Sequence, residues 1–315
     1  MLTRRVFGRL AAGAVVAPKG FRGGIEAERA QGGAERMPAR AQADSGAGSR
    51  GGPFSVMLWT LKKLGSFEEN LERVAKAGYS HVELVGEFNK WTEAEWTSNL
   101  ARMKALGLTV DATSGMSGPG FSDPGSGEAF VAALKAFLPK VQRLGCPQMI
   151  MLSGKRVEGA AAGVQRQTSV ETLKRSVDVL AAAGVQALIE PIDLLENPPI
   201  YLDGVTEGFA IARAVGSPQV KVLYDLYHEQ RQNGNLTEKL EKNIDQVGLV
   251  HVADVPGRYE PGTGEMNYCN LYKTLGKVGY KGVIAMEFYS TGDAVETLRK
   301  AREEAVRCMG LGVAG

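Results

Sequence analysis

The chain has 315 residues, of which 44% are hydrophobic and 23% charged, a composition that is typical of globular proteins and excludes collagenous, coiled-coil and wholly disordered chains. The net charge of +2 is uneven, because residues 1–52 hold nine lysines and arginines against four acids, whereas the other 263 residues are net −3. Since that body shows no basic stripe, we expect no nucleic-acid partner.

The first residues are typical of an export signal. Arg4 and Arg5 precede Phe7 and a weakly hydrophobic run over 11–17 that is too short to span a bilayer. This pattern resembles a twin-arginine signal, which implies the Tat export machinery as a partner and a periplasmic location. The stretch that follows, up to residue 52, is predicted to be disordered, with Ala43 as a candidate cleavage position. The alternative is a basic tail on a cytoplasmic protein.

Eight short aliphatic runs alternate with amphipathic segments between residues 53 and 315. The predicted strands span 55–60, 81–85, 109–113, 148–152, 185–190, 220–225, 249–253 and 283–288, and the helices include 67–77, 93–106, 128–144, 170–183, 205–215 and 294–308. Eight such units predict a single (β/α)8 TIM barrel. A doubly wound open sheet is the alternative, but the phosphate-binding glycine motif of nucleotide folds does not follow the first strand.

The three cysteines are Cys146, Cys269 and Cys308. They lie far apart in the sequence and form no C-x-x-C pair, which argues against a zinc knuckle or a dense disulfide framework. We expect all three to pack as small apolar residues.

Potential metal ligands lie at the ends of the last four predicted strands: Glu190, Asp225, His251 and Glu287. In a closed barrel these strand ends meet at the carboxyl-terminal face, where the active sites of this architecture are built. Three carboxylates and one imidazole suit Mn²⁺, Mg²⁺ or Co²⁺. The sequence therefore predicts a divalent metal site.

Three segments carry a family resemblance: LIEPI at 188–192, YDLYH at 224–228 and VADVPGRYEPGTGEMNY at 252–268. They resemble the hydroxypyruvate isomerase family of xylose-isomerase-like sugar isomerases and epimerases. The resemblance implies a metal-dependent TIM barrel in which Glu190 and Glu287 flank the substrate as an acid/base pair. It also implies that Asp225 and His251 complete the metal shell.

The leading reaction is the conversion of 3-hydroxypyruvate to tartronate semialdehyde through an enediolate, which needs proton transfer alpha to a carbonyl. The resemblance implies that His228 contacts the substrate; the alternative is a structural histidine. Arg258 is a candidate partner for a substrate carboxylate, or a surface-loop arginine. Glu83 either binds a substrate hydroxyl or forms a salt bridge inside the barrel. Trp59 either packs or forms an apolar wall beside the substrate.

Other functions are compatible with the same ligands. A ketose 3-epimerase or an aldose–ketose isomerase would use the same metal and glutamates on a longer sugar. A non-catalytic exported sugar-binding barrel is a further alternative. A phosphodiesterase of the endonuclease-IV type would need more than the three histidines present. Related barrels commonly pair, and by that analogy we expect a homo-oligomer.

Overall fold

Eight parallel strands form a closed barrel in sequence order, with β8 pairing back to β1. The computed structural model describes residues 52–161 and 163–312. The strands are β1 (Phe54–Met57), β2 (His81–Val85), β3 (Thr109–Ser114), β4 (Gln148–Leu152), β5 (Gln186–Glu190), β6 (Val220–Asp225), β7 (Val247–Val252) and β8 (Val283–Met286). The predicted TIM barrel is confirmed.

Helices follow the strands and surround the barrel. They are α1 (Phe67–Lys76), α2 (Glu93–Ala105), α3 (Gly127–Arg143), α4 (Val164–Ala183), α5 (Val205–Val215), α6 (Leu226–Gln232), α7 (Leu236–Asn243), α8 (Tyr268–Lys277) and α9 (Ala294–Met309). Short 3-10 helices span Leu58–Leu61, Glu87–Lys90 and Ile244–Gln246. Ser66 and Thr92 begin α1 and α2 with reciprocal capping boxes, which satisfy backbone N–H groups at those helix starts.

Two apolar clusters hold these layers together. The larger one fills the space between the strands and the surrounding helices. The smaller one lies inside the barrel and consists of Met57, Ala112, Ile150, Leu188, Leu223 and Leu249. The barrel interior is therefore a packed core, as is usual for this architecture.

Two predicted elements differ from the structure by more than two residues at one end. β1 ends at Met57 because the chain turns into a 3-10 helix, which takes Trp59 off the strand. Helix α4 begins at Val164 instead of residue 170, and its first turns bury the polar Gln165 and Ser169. An apolar periodicity cannot reveal turns that bury polar side chains.

The prediction for the cysteines is wrong for two of the three. Cys269 on α8 and Cys308 on α9 form a disulfide, with Cα atoms 5.3 Å apart, whereas Cys146 is buried and free. The partners are 39 residues apart in sequence. Only the packing of the last two helices against each other brings them within bonding distance, so their spacing gave no signal.

The predicted export signal and linker at 1–52 lie outside the described residues, apart from residue 52 itself. Within 52–161 and 163–312, no helix combines the length and the apolar character needed to cross a membrane.

Candidate active site

Four predicted ligands meet at the carboxyl-terminal end of the barrel. Glu190 and Asp225 are the last residues of β5 and β6, His251 lies in β7, and Glu287 follows β8 directly. One ligand atom from each lies within 4.8 Å of the others, and all four side chains are buried. We call these four residues the ligand cluster. Its convergence follows from barrel closure, because each strand delivers one residue to the same face.

The ligand cluster fits a divalent cation. Asp225 Oδ1 accepts hydrogen bonds from the backbone N–H groups of Tyr227 and His228, and it thereby caps α6. Asp225 Oδ2 is buried and has no hydrogen-bond partner among the described residues. A buried carboxylate oxygen that accepts no hydrogen bond, beside two further carboxylates and an imidazole, is a donor set that suits a hard or borderline divalent ion.

Two glutamates of the cluster have opposite electrostatic environments. Burial and the nearby charge of Glu287 raise the pKa of Glu190 to about 7. Burial alone would also raise the pKa of Glu287, but Arg258 and His251 outweigh it and hold that pKa well below its usual range. Trp59 supports Glu287 further, because its Nε1–H donates to Glu287 Oε1 at 3.1 Å. Glu287 is therefore held as a carboxylate.

His251 lies between two carboxylates. Its Nδ1 is 2.7 Å from Glu287 Oε2, and its Nε2 is 2.9 Å from Glu83 Oε2. Burial opposes the protonation of this ring, but Glu83 and Glu287 outweigh burial and raise the pKa of His251 well above its usual range. The structure thus gives Glu83 the salt bridge inside the barrel, and its side chain is fully buried.

His228 lies on the first turn of α6, and one of its ring nitrogens contacts an acid that is not part of the ligand cluster. Its Nδ1 is 2.6 Å from Asp193 Oδ2, and its Nε2 faces Asp225 Oδ2 at 3.4 Å. Burial lowers the pKa of His228, whereas Asp225 and Asp193 raise it, with a net value of about 9. Arg231 Nη1 also lies 3.1 Å from Asp193 Oδ2, so Asp193 contacts a second basic side chain besides His228.

Arg258 is a buried cation beside the ligand cluster, not a surface-loop residue. Its Nη2 is 2.8 Å from Glu287 Oε2 and 3.6 Å from Asp225 Oδ2, while its Nη1 donates to Glu196 Oε1 at 2.6 Å. The guanidinium carbon lies 5.0 Å from the centre of the Tyr227 ring. These contacts orient the guanidinium toward the cluster.

The glycine-rich loop after β7 is organised by one buried carboxylate. Asp254 accepts hydrogen bonds from four backbone N–H groups, those of Val255, Gly262, Gly264 and Met266, at 2.9–3.1 Å. A Cβ at position 264 would lie 2.0 Å from the Val255 carbonyl oxygen, so this close approach requires glycine. The loop motif therefore builds a fixed support for Arg258.

A cavity of about 280 Å³ lies above the ligand cluster. Its polar lining includes Glu190, His228, Arg258 and Glu287, and an apolar wall is formed by Met57, Trp59, Val85, Ile150, Leu152 and Ile192. Trp59 therefore lies beside the cavity, in addition to holding Glu287. The charged side of the cavity comes from the second half of the barrel, and the apolar side comes from the first half apart from Ile192.

Sequence reasoning missed the outer acids of the site. Asp193 and Glu196 lie in the loop after β5 and contact His228 and Arg258 respectively. Their signal was available in the sequence, because loops that follow strands at the carboxyl-terminal face carry function in a barrel.

Comparison with known proteins is consistent with this geometry. Residues 71–309 match the family described as "Xylose isomerase-like TIM barrel". The chain belongs to this family. A Mus musculus protein named "Putative hydroxypyruvate isomerase" is 31% identical over 252 residues, which cover 76% of this chain and 90% of that protein. The resemblance to hydroxypyruvate isomerases is thereby confirmed.

Two further relatives match over shorter segments. The Escherichia coli hydroxypyruvate isomerase is 33% identical over 165 residues, covering 52% of this chain and 64% of that protein. A Cupriavidus necator protein named 2-oxo-tetronate isomerase is 38% identical over 123 residues, covering 39% of this chain and 47% of that protein. The names of these relatives support an isomerase.

Solved structures share the barrel. An "AP endonuclease, family 2" from Brucella melitensis superposes with a TM-score of 0.71 at 27% identity, covering 78% of this chain and 96% of that chain. The IolI protein, solved "with a binding zinc atom", has a TM-score of 0.69 at 16% identity, covering 82% and 98%. The likeness to IolI shows the fold alone, and IolI is an example of this fold with a bound metal.

The ligand cluster predicts that a divalent cation stabilises the native protein. Mn²⁺ at 100 times its Kd should add about 2.7 kcal/mol to the free energy of unfolding, measured as a rise in Tm. Asp225→Asn keeps the oxygen that caps α6 but loses the negative charge of the carboxylate, so its Mn²⁺-induced shift should be much smaller. The surface change Asp245→Asn should retain the full shift. An undiminished shift in Asp225→Asn would show that the ion binds elsewhere.

Proposed function

We propose that this protein is a divalent-metal-dependent isomerase of a small hydroxy-carbonyl compound, with 3-hydroxypyruvate and tartronate semialdehyde as the leading substrate pair. The observation that supports this function is the ligand cluster at the base of a cavity of about 280 Å³. That volume is near the lower end of the range for small-molecule sites, roughly 300–1,000 Å³, and favours a substrate of a few carbon atoms.

Proton transfer is assigned to Glu190 and Glu287, which both line the cavity. Moving a carbonyl between adjacent carbons requires a base that removes a proton alpha to it and an acid that returns the proton to the neighbouring carbon. Glu190, Asp225, His251 and Glu287 would hold Mn²⁺, Mg²⁺ or Co²⁺. When bound, such an ion supplies Lewis-acid stabilisation of the negative charge that develops on the enediolate.

Substrate orientation is assigned to Arg258 and His228. The Arg258 guanidinium lines the cavity and has the fork geometry that pairs with a carboxylate, such as that of hydroxypyruvate. His228 lines the same cavity, and Asp193 holds its Nδ1, which leaves Nε2–H to donate to a substrate oxygen. A small 2-oxo acid with a neighbouring hydroxyl would satisfy both residues.

A phosphodiesterase is disfavoured despite the structural likeness to an AP endonuclease. The chain has three histidines, and a multinuclear zinc site needs more. His81 begins β2, at the opposite end of the barrel from the ligand cluster, and its Nδ1 is 2.8 Å from Thr109 Oγ1. Two histidines at the site suit one divalent cation.

Solvent deuterium incorporation tests the proposal directly. The protein in D₂O with Mn²⁺ is incubated with hydroxypyruvate, tartronate semialdehyde, 2-oxo-tetronate and a panel of ketoses and aldoses, and exchange and isomer formation are followed by NMR. We expect metal-dependent exchange with a 2-oxo acid. Exchange with sugars alone would favour an epimerase or an aldose–ketose isomerase.

The two glutamates are tested in the same assay. Glu190→Gln and Glu287→Gln should each lower turnover by at least about 10²-fold, because each removes a proton-transfer group. Glu265→Gln, on the glycine-rich loop, serves as the matched control and should retain turnover. Retained activity in either variant would remove that residue from the acid/base pair. A metal-loaded protein without exchange on any compound would support the non-catalytic sugar-binding barrel.

We also propose that the protein is exported. The twin-arginine pattern supports this location, and so does the disulfide between Cys269 and Cys308, because disulfides persist in oxidising compartments and are rare in the cytosol. The two observations are independent, since the signal and the cysteines lie at opposite ends of the chain.

Export predicts a difference in thiol content between two forms of the chain. The full-length protein should be recovered from the periplasm and, after denaturation without reductant, should show only the thiol of Cys146. A variant with Arg4→Lys and Arg5→Lys should stay in the cytoplasm and show all three thiols. Equal fractionation of the two proteins would contradict export through this signal, and three thiols in both would remove the disulfide as support for export.

A further inference from the structure

The barrel interior beneath the ligand cluster has a polar side. Ser55 on β1, Glu83 on β2 and Asp111 on β3 are all buried, at 0%, 0% and 5% exposure, and Glu83 contacts His251 on β7. Barrel interiors are dominated by branched aliphatic residues, and burying a carboxyl group is costly without a partner. A carboxyl group buried in this interior therefore needs a specific partner, and its presence there indicates a specific role.

The partner is the ring nitrogen of His251 that faces away from the ligand cluster. Nδ1 points to Glu287 Oε2 at 2.7 Å, inside the cluster, whereas Nε2 points to Glu83 Oε2 at 2.9 Å. Because a carboxylate can only accept, both ring nitrogens donate in this arrangement. A cation held by the cluster would take the place of the proton on Nδ1, which faces the cluster, whereas Nε2 would keep its proton against Glu83.

We propose that Glu83 is the positioning residue of His251: it fixes the tautomer and the orientation of the imidazole and thereby raises the affinity of the ligand cluster for a divalent cation. This inference rests on the proposed metal dependence. It gives Glu83 a role different from binding a substrate hydroxyl. A carboxylate behind a metal-ligating histidine makes the imidazole a better donor, and removing such a partner costs about 10- to 100-fold in metal affinity.

The next acid along this interior provides a matched control. Asp111 lies where the pairing register between β2 and β3 shifts, and its Oδ1 accepts a hydrogen bond from Ser55 Oγ at 2.6 Å. Burial and the nearby Glu83 raise the pKa of Asp111 well above its usual range, which favours the neutral form. Asp111→Asn therefore removes a buried carboxyl group close to Glu83 without changing any contact to His251.

Calorimetric titration of the full chain with Mn²⁺, without substrate, tests the inference. Glu83→Gln keeps an oxygen that accepts the Nε2 proton but loses the charge, so its Kd should be about 10- to 100-fold higher than that of the wild type. Asp111→Asn should keep the wild-type Kd. With Mn²⁺ saturating, Glu83→Gln should also keep the KM for the substrate. Equal Kd values for wild type and Glu83→Gln would overturn the inference, and so would a raised KM with an unchanged Kd.

A measurement on the wild type avoids dependence on a variant that fails to fold. The chain has three histidines, so the imidazole ¹⁵N spectrum contains three rings. With Zn²⁺ bound, His251 should carry its proton on Nε2, and Nδ1 should show the shift of a metal-bound nitrogen. Coordination through Nε2, with the proton on Nδ1, would overturn the inference. A wild type that binds no divalent ion would contradict the proposed metal dependence itself.

Discussion

Buried negative charge is the constraint on which the rest of this site depends. Barrel closure brings Glu190, Asp225 and Glu287 together away from water, and an uncompensated buried charge costs several kcal/mol. Three basic side chains lie among them, and each is held by an acid farther out: Glu83 holds His251, Asp193 holds His228 and Glu196 holds Arg258. This alternation of charge keeps the carboxylates close enough to share one cation.

The scaffold delivers these groups on supports that cannot easily move. The ligands come from strand ends, whose positions are fixed by pairing around the closed barrel. Arg258 comes from a loop, but four backbone N–H groups bound by Asp254 give that loop a defined conformation. Residues presented on rigid elements keep their geometry during a reaction, which is what the proposed proton transfer to a neighbouring carbon requires.

The sequence predicted the barrel and the convergence of Glu190, Asp225, His251 and Glu287, because strand periodicity and strand-end position are local signals. It did not reveal the pairings of Asp193 or Glu83, which depend on contacts across strands and loops. Trp59 left its predicted strand because a 3-10 helix follows β1. The disulfide of Cys269 and Cys308 was missed because these distant segments meet only in the folded chain.

Anomalous diffraction from crystals loaded with Mn²⁺ tests the central claim most directly. The claim is that the four strand ends form one divalent-metal site. It predicts one strong anomalous peak within about 2.0–2.6 Å of oxygen or nitrogen atoms from all four residues of the ligand cluster, including Nδ1 of His251. A peak centred on Asp193, Glu196 and His228 instead, or no peak at the ligand cluster in a catalytically active crystal, would contradict the account.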